Sequence, residues 1–171
     1  MSSKTKIIIG VVIAAVVVVG GCNMLMRKAG ELVTEKMIEN ASGGKAKVDA
    51  KDGSMTVTTS EGTVTTGGNV PEGWPSDVPV YAGAAVQFSG ANMQGAEGGM
   101  ALVLSSKDDA SKVASYYKTE LKAQGWTIGN TMEAQGNTVL LLTKGTKTLS
   151  LSIAGANGMT SITIGVQDMT Q

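Results

Sequence analysis

Residues 147–167 read KTLSLSIAGANGMTSITIGVQ, and this stretch decides what kind of fold the chain can form. Leu149, Leu151 and Ile153 alternate with Thr148, Ser150 and Ser152. After Gly155–Gly158, Ile162, Ile164 and Val166 alternate with Ser161, Thr163 and Gly165. A period of two places apolar side chains on one face of an extended strand and hydroxyls on the other. Two such strands joined by a short Gly-containing turn predict an antiparallel pair with one apolar face and one Thr/Ser-rich face.

Working outward, Trp126–Glu133 and Thr138–Thr143 are two more strand candidates, with Gln135-Gly136-Asn137 between them and Lys144-Gly145 leading into Lys147. Before them, Val113, Tyr116, Tyr117 and Leu121 make one face of a helix that opens at Asp108-Asp109 and closes at Gly125. Two adjacent carboxylates could serve acid–base or metal chemistry, but at a helix start they read as a cap or as charges favoured by the positive end. Met100–Leu104, MALVL, is a continuous apolar run suited to a central strand, and Val78–Val80 and Ala84–Phe88 add strand material. Gly90–Gly99 lacks the spacing and following helix of a phosphate loop and reads as a turn. The expected fold class is therefore α+β: an antiparallel β-sheet covered by one helix, in the order β-β-α-β-β-β-β, over residues 78–168.

Residues 44–77 form a different segment. Thr56-Val57-Thr58-Thr59 recurs as Thr63-Val64-Thr65-Thr66 about Ser60-Glu61-Gly62, which predicts a Thr-rich β-hairpin that must dock on something or stay mobile. A two-copy repeat is too short for an ice-binding or adhesive array. Asp49 and Asp52 do not make a calcium loop, since Val48 stands where the first acidic ligand belongs. Pro71, Pro75 and Pro79 stiffen the next stretch of chain and suggest a linker ahead of the compact domain.

The N-terminal residues speak about location. Residues 7–19, IIIGVVIAAVVVV, come after Lys4 and Lys6 and run on toward Arg27-Lys28. In one reading residues 7–26 span a membrane as a helix, because 20 residues rising 1.5 Å each cover about 30 Å. In the other, the same 1–26 segment carries a lipoprotein signal, with Lys4 and Lys6 as its charged start, 7–19 as its apolar part and Val19-Gly20-Gly21-Cys22 as the cleavage site, and Cys22, the one Cys of the chain, is lipidated. Both readings attach the protein to a membrane and put the rest of the chain outside the cytoplasm, periplasmic or at the cell surface. Residues 27–43 then form a juxtamembrane helical stalk, with Met26, Ala29, Val33 and Met37 on one stripe and Glu31, Glu35, Lys36 and Glu39 on the other side.

Composition limits the chemistry. With no His among 171 residues there is no imidazole base and no His metal ligand, and one Cys builds neither a disulfide nor a thiolate cage. Fourteen Lys+Arg balance fourteen Asp+Glu without a basic run, so no nucleic-acid partner is expected. No catalytic, cofactor or metal site is evident, and no cofactor is expected. Thr, Ser and Gly make up 55 of the 171 residues, which favours strands and turns over charged helices.

Two segments, PEGWPSDVPVYAGA at 71–84 and SKVASYYKTELKAQGW at 111–126, together resemble a domain of uncharacterised bacterial membrane-anchored proteins and predicted lipoproteins. There a P-x-D-V-P-x-Y-x-G-A entry precedes a strand, and an aromatic-Tyr-x3-Leu-x3-Gly-Trp helix turns a corner. The resemblance extends over residues 44–168. It implies the α+β fold and an envelope location, and no activity. The same segments hold five of the six aromatic residues. They read as core anchors, with Trp74 and Tyr81 the candidates for an exposed binding surface.

The functional expectation is a membrane-anchored, non-enzymatic binding or scaffolding protein of the bacterial envelope whose partner is an envelope protein or a glycan. Its contact surface would be the Thr/Ser face or an edge strand such as Met159–Gln167. Two alternatives stand beside it: a carboxylate-based hydrolase of envelope polymers using Asp77, Asp108 or Glu133 with a Tyr, and a lipid carrier whose helix and sheet part around an apolar cavity.

Overall fold

A computed structural model describes residues 46–51, 54–59, 62–91 and 99–168. The anchor and stalk expected at 1–43, with Cys22, lie outside the described residues. Among the described residues, no helix is long and apolar enough to cross a membrane.

Among the described residues, nine strands and one helix occur in the order β1 (Ala46–Lys51), β2 (Ser54–Thr59), β3 (Gly62–Thr66), β4 (Ala85–Ala91), β5 (Met100–Ser106), α1 (Ala110–Ala123), β6 (Thr127–Ala134), β7 (Asn137–Lys144), β8 (Lys147–Ala156) and β9 (Met159–Asp168). From β4 onward this is the expected order, an antiparallel sheet with one helix. All strands join a single antiparallel sheet in the spatial order β1-β2-β3-β4-β5-β9-β8-β7-β6. The Thr-rich hairpin docks by edge pairing, Val64 opposite Gly90 and Thr66 opposite Phe88. The sheet is therefore continuous across the Pro-containing stretch. The strand β1 is an addition to the expected order; its sequence signal is the alternation of Ala46, Val48 and Ala50 with charged neighbours.

The helix explains the strand order. It leaves β5 and crosses one face of the sheet, so the chain returns at the far edge as β6 and steps back through β7 and β8 until β9 pairs with β5. The strand β9 is thus central, which corrects the expectation that Met159–Gln167 is a free edge; the edges are β1 and β6. Alternation in 147–167 sets which residues share a face, but edge or centre is fixed by the crossover, which no strand carries in its own residues.

Pairing register stacks the apolar side chains on the helix face: Leu102 opposite Ile164, Leu104 opposite Ile162, Leu151 opposite Leu140 and Ile164, Leu149 opposite Leu142 and Val166. With Val113, Tyr117 and Leu121 of α1 they form the core, most of them at or near 0% exposed. The helix begins at N-cap Asp109, whose side chain makes no capping bond. Asp108 instead accepts the Tyr81 hydroxyl and pairs with Lys112 four residues on, so the expected carboxylate cap is replaced by one tertiary hydrogen bond and one local ion pair. The C-terminus closes as predicted: Gly125 stands at φ +85°, its N–H donates to Lys122 O, and Trp126 N–H donates to Leu121 O. Those two bonds are the paired closure that a left-handed residue makes possible.

Val78–Val80 is not a strand. Val78 N–H closes a turn on Pro75 O, and the Val78 side chain enters the core.

Candidate binding groove

Below the core, the other face of β5–β9 carries the alternate residues. One cross-strand row runs Ala101, Gly165, Ser150, Leu141 and Asn130, each directly opposite the next. Its centre is shallow because Gly165 has no side chain and Ser150 a short one. A Cβ at Gly165 would come within 2.9 Å of Ser150 Oγ, so the glycine keeps the row sunken. Together with Thr148 and Gly129, at the bulge between Ile128 and Asn130, these residues line a groove of about 730 Å³. Leu141, 48% exposed, forms an apolar wall, and the hydroxyls of Thr148 and Ser150 lie along it. Met132, 65% exposed, lies on the same face, opposite Val139.

Leu141 carries a readable sequence signal. Leu140-Leu141-Leu142 breaks the period of two, and the middle residue of such a triplet must leave the core face. Gly165 and Asn130 carry none, because their meaning depends on which strands become neighbours.

The aromatic residues belong elsewhere. Tyr81 is 7% exposed, donates its hydroxyl to Asp108 Oδ2 at 2.7 Å, and packs edge-on against Tyr116 at 5.0 Å and tilted against Tyr117 at 6.3 Å. Burial removes it from any binding surface and makes it a core anchor. Trp74 is half-buried against the core, and its Nε1–H is committed to Val78 O at 2.9 Å. Neither lines the groove.

The three candidate carboxylates are each held by a lysine of their own: Asp77 by Lys144 at 2.7 Å, Asp108 by Lys112 at 3.0 Å, and Glu133 by Lys118. The Tyr81 hydroxyl and then Lys112 hold the Asp108 carboxyl below its usual value. Burial pushes the Tyr117 phenol well above its usual range. Its hydroxyl oxygen accepts the Tyr81 backbone N–H at 3.2 Å. Among the described residues, no three carboxylates or thiols gather where they could hold a metal ion.

The buried side chains of α1 and the sheet form one core, the groove lies on the opposite face, and a second depression of about 780 Å³ lies beside α1 at β6, lined by Lys118, Lys122, Trp126, Ile128 and Thr131. A family model described as START domain-like matches residues 85–164, just under half of the chain and nearly the whole run from β4 to β9. Comparison with curated proteins and with solved structures gives no match.

Proposed function

We propose that this chain is a binding protein held at a bacterial membrane, whose open-face groove takes a single hydrocarbon chain of a lipid-like ligand. The observation that carries the reading is the groove itself: one sunken row of small residues beside an exposed Leu141, on a face otherwise rich in hydroxyls. Apolar area in a concave site with a few polar groups along it is the usual build of a small-molecule site. The START domain-like match supports the reading, since such domains generally bind ligands, and it covers the strands that build the groove. The resemblance of residues 71–84 and 111–126 to envelope proteins supports the location, as do the apolar run at 7–19 and the Val19-Gly20-Gly21-Cys22 sequence.

Titration with a fluorescent fatty acid tests the ligand. Saturable binding that weakens at least tenfold in Gly165→Leu supports the proposal; unsaturable binding, or binding indifferent to that substitution, ends it. Intact mass of the chain extracted from membranes separates the two anchors. Loss of the residues before Cys22 with a gain of acyl mass is the lipoprotein, and an unprocessed chain is the spanning helix.

A further inference from the structure

The sheet ends at β1 and β6, and the two edges differ in sequence. The strand β1 carries Lys47, Asp49 and Lys51 at alternate positions, the kind of charge that keeps an edge from pairing with another chain. The strand β6 has no Lys, Arg or Pro, and every residue of it except Ile128 is exposed. Its bulge lies between Ile128 and Asn130, so Asn130–Ala134 is a regular, open edge.

Which backbone groups this edge offers follows from the hairpin. The β6–β7 turn has two residues, Gln135 and Gly136, at φ +51° and +79°, so Ala134 and Asn137 exchange both backbone hydrogen bonds. Bonded and open pairs alternate along an antiparallel ladder. Met132 therefore bonds Val139, while Thr131 and Glu133 turn their N–H and C=O away from β7. A second β6 running antiparallel meets these groups in register: Thr131 of each copy exchanges both bonds with Glu133 of the other, and Met132 stands opposite itself on a two-fold axis.

We infer that this chain forms a two-fold dimer by antiparallel β6–β6 pairing about Met132. The side chains suit this pairing on both faces. On the groove side, Met132 is 65% exposed, with half-buried Val139 opposite it and exposed Leu141 two residues further along β7. The axis joins two such apolar patches, Met132 on Met132. On the α1 side, Glu133 of one copy falls beside Thr131 of the other, at the depression where Lys122 has no carboxylate partner among the described residues. Like charges are not opposed, since each Glu133 faces a Thr131. The interface is isologous, so assembly stops at two copies. The inference is independent of what the groove binds, because it rests on the β6 edge.

Disulfide trapping in the full chain tests the register. Opposed residues of an open pair have Cα atoms about 4.5 Å apart, within disulfide reach, whereas two copies of residue 131, or of residue 133, stand about 8 Å apart. Under mild oxidant, Met132→Cys should give a disulfide dimer, shown to join two copies by mixing chains of different tag. Thr131→Cys and Glu133→Cys should give roughly fivefold less, and the parent sets the background from Cys22. Equal dimer at all three positions, or a disulfide from 132 to another protein and none to a second copy, would overturn the inference. Mass in solution gives a second reading. Thr131→Pro removes an N–H that points away from β7, a place where an edge strand tolerates Pro, so the far-UV spectrum should stay as in the parent. The parent should then sediment as a dimer and Thr131→Pro as a monomer; a monomeric parent, or a Thr131→Pro protein that is still dimeric, is a refutation.

Discussion

The indole Nε1–H of Trp126 donates to the backbone carbonyl of Asp77 at 2.9 Å, across 49 residues of sequence, and Trp74 Nε1–H donates to the next carbonyl, that of Val78, at the same distance. Two tryptophans thus brace two consecutive carbonyls of one turn. The turn drops Val78 into the core and presents the Asp77 carboxylate to Lys144. Pro71 and Pro75 limit the backbone around it, and the indoles fix what remains. The segment 71–84 is therefore a built part of the domain, closing the core where α1 turns into β6.

Trp126→Phe keeps an aromatic ring at a position 2% exposed but removes the donor, leaving the Asp77 carbonyl without that partner. An unsatisfied buried polar group costs about 1–3 kcal/mol, so urea unfolding should show a loss of that size. Trp126→Ala, which empties the site as well, should cost about 3–5 kcal/mol. No loss in Trp126→Phe would mean that the hydrogen bond contributes nothing, and equal losses in the two variants would mean that the ring's packing contributes nothing.

Asp77 also makes the domain sensitive to acid. Burial by itself would raise this carboxyl, but the Lys144 hydrogen bond and the charges of Lys147 and Lys144 outweigh it and hold the acid below its ordinary value of 3.8. The folded value lies below the unfolded one, so the contribution to stability is complete above the unfolded pKa and is lost as pH falls through the folded one. Lys144→Met should therefore be less stable than the parent at pH 7, and the gap between them should close below about pH 4. Melting temperatures measured from pH 2 to 7 check this. A gap independent of pH would assign Lys144 a packing role only.

Gly125→Ala tests the helix stop. At φ +85° a side chain meets the left-handed penalty of roughly 1–2 kcal/mol, while the nearest atom to an added Cβ is Lys144 Cε at 3.7 Å, so the loss would be conformational rather than steric. Gly129→Ala is the control, since its backbone is not left-handed and an added Cβ would sit 3.6 Å from Leu141 O. It should cost less in the same unfolding measurement.

How far the fold is legible in the sequence depends on whether a feature is local. The hydroxyl–apolar alternation of Leu149–Ile153, the helix face of Val113, Tyr117 and Leu121, and the stop at Gly125 are set by neighbours in sequence, and all three stand in the structure. The central place of β9 and the groove at Gly165 depend on which strands pair, and pairing is set by the path of α1 across the sheet. Asp108 shows the same divide within one residue. Its place before a helix suggests capping, whereas its partners Tyr81 and Lys112 are set by a loop and by the first turn of that helix.

Leu141 and Leu142 are adjacent in β7 and face opposite sides, one 48% and the other 1% exposed. Leu142→Ala removes core packing against Leu149 and should cost about 2–5 kcal/mol. Leu141→Ala should change stability by no more than about 0.5 kcal/mol, as exposed positions usually do. If the groove binds a hydrocarbon chain, the order reverses in binding: Leu141→Asp should weaken uptake of a fluorescent fatty acid at least tenfold while the unfolding curve barely moves. Stability and binding would then separate on two neighbouring leucines. A Leu141→Asp protein that binds as tightly as the parent would show that the groove wall is not the contact, and a Leu141→Ala protein that unfolds as readily as Leu142→Ala would show that β7 faces the core with the wrong residues.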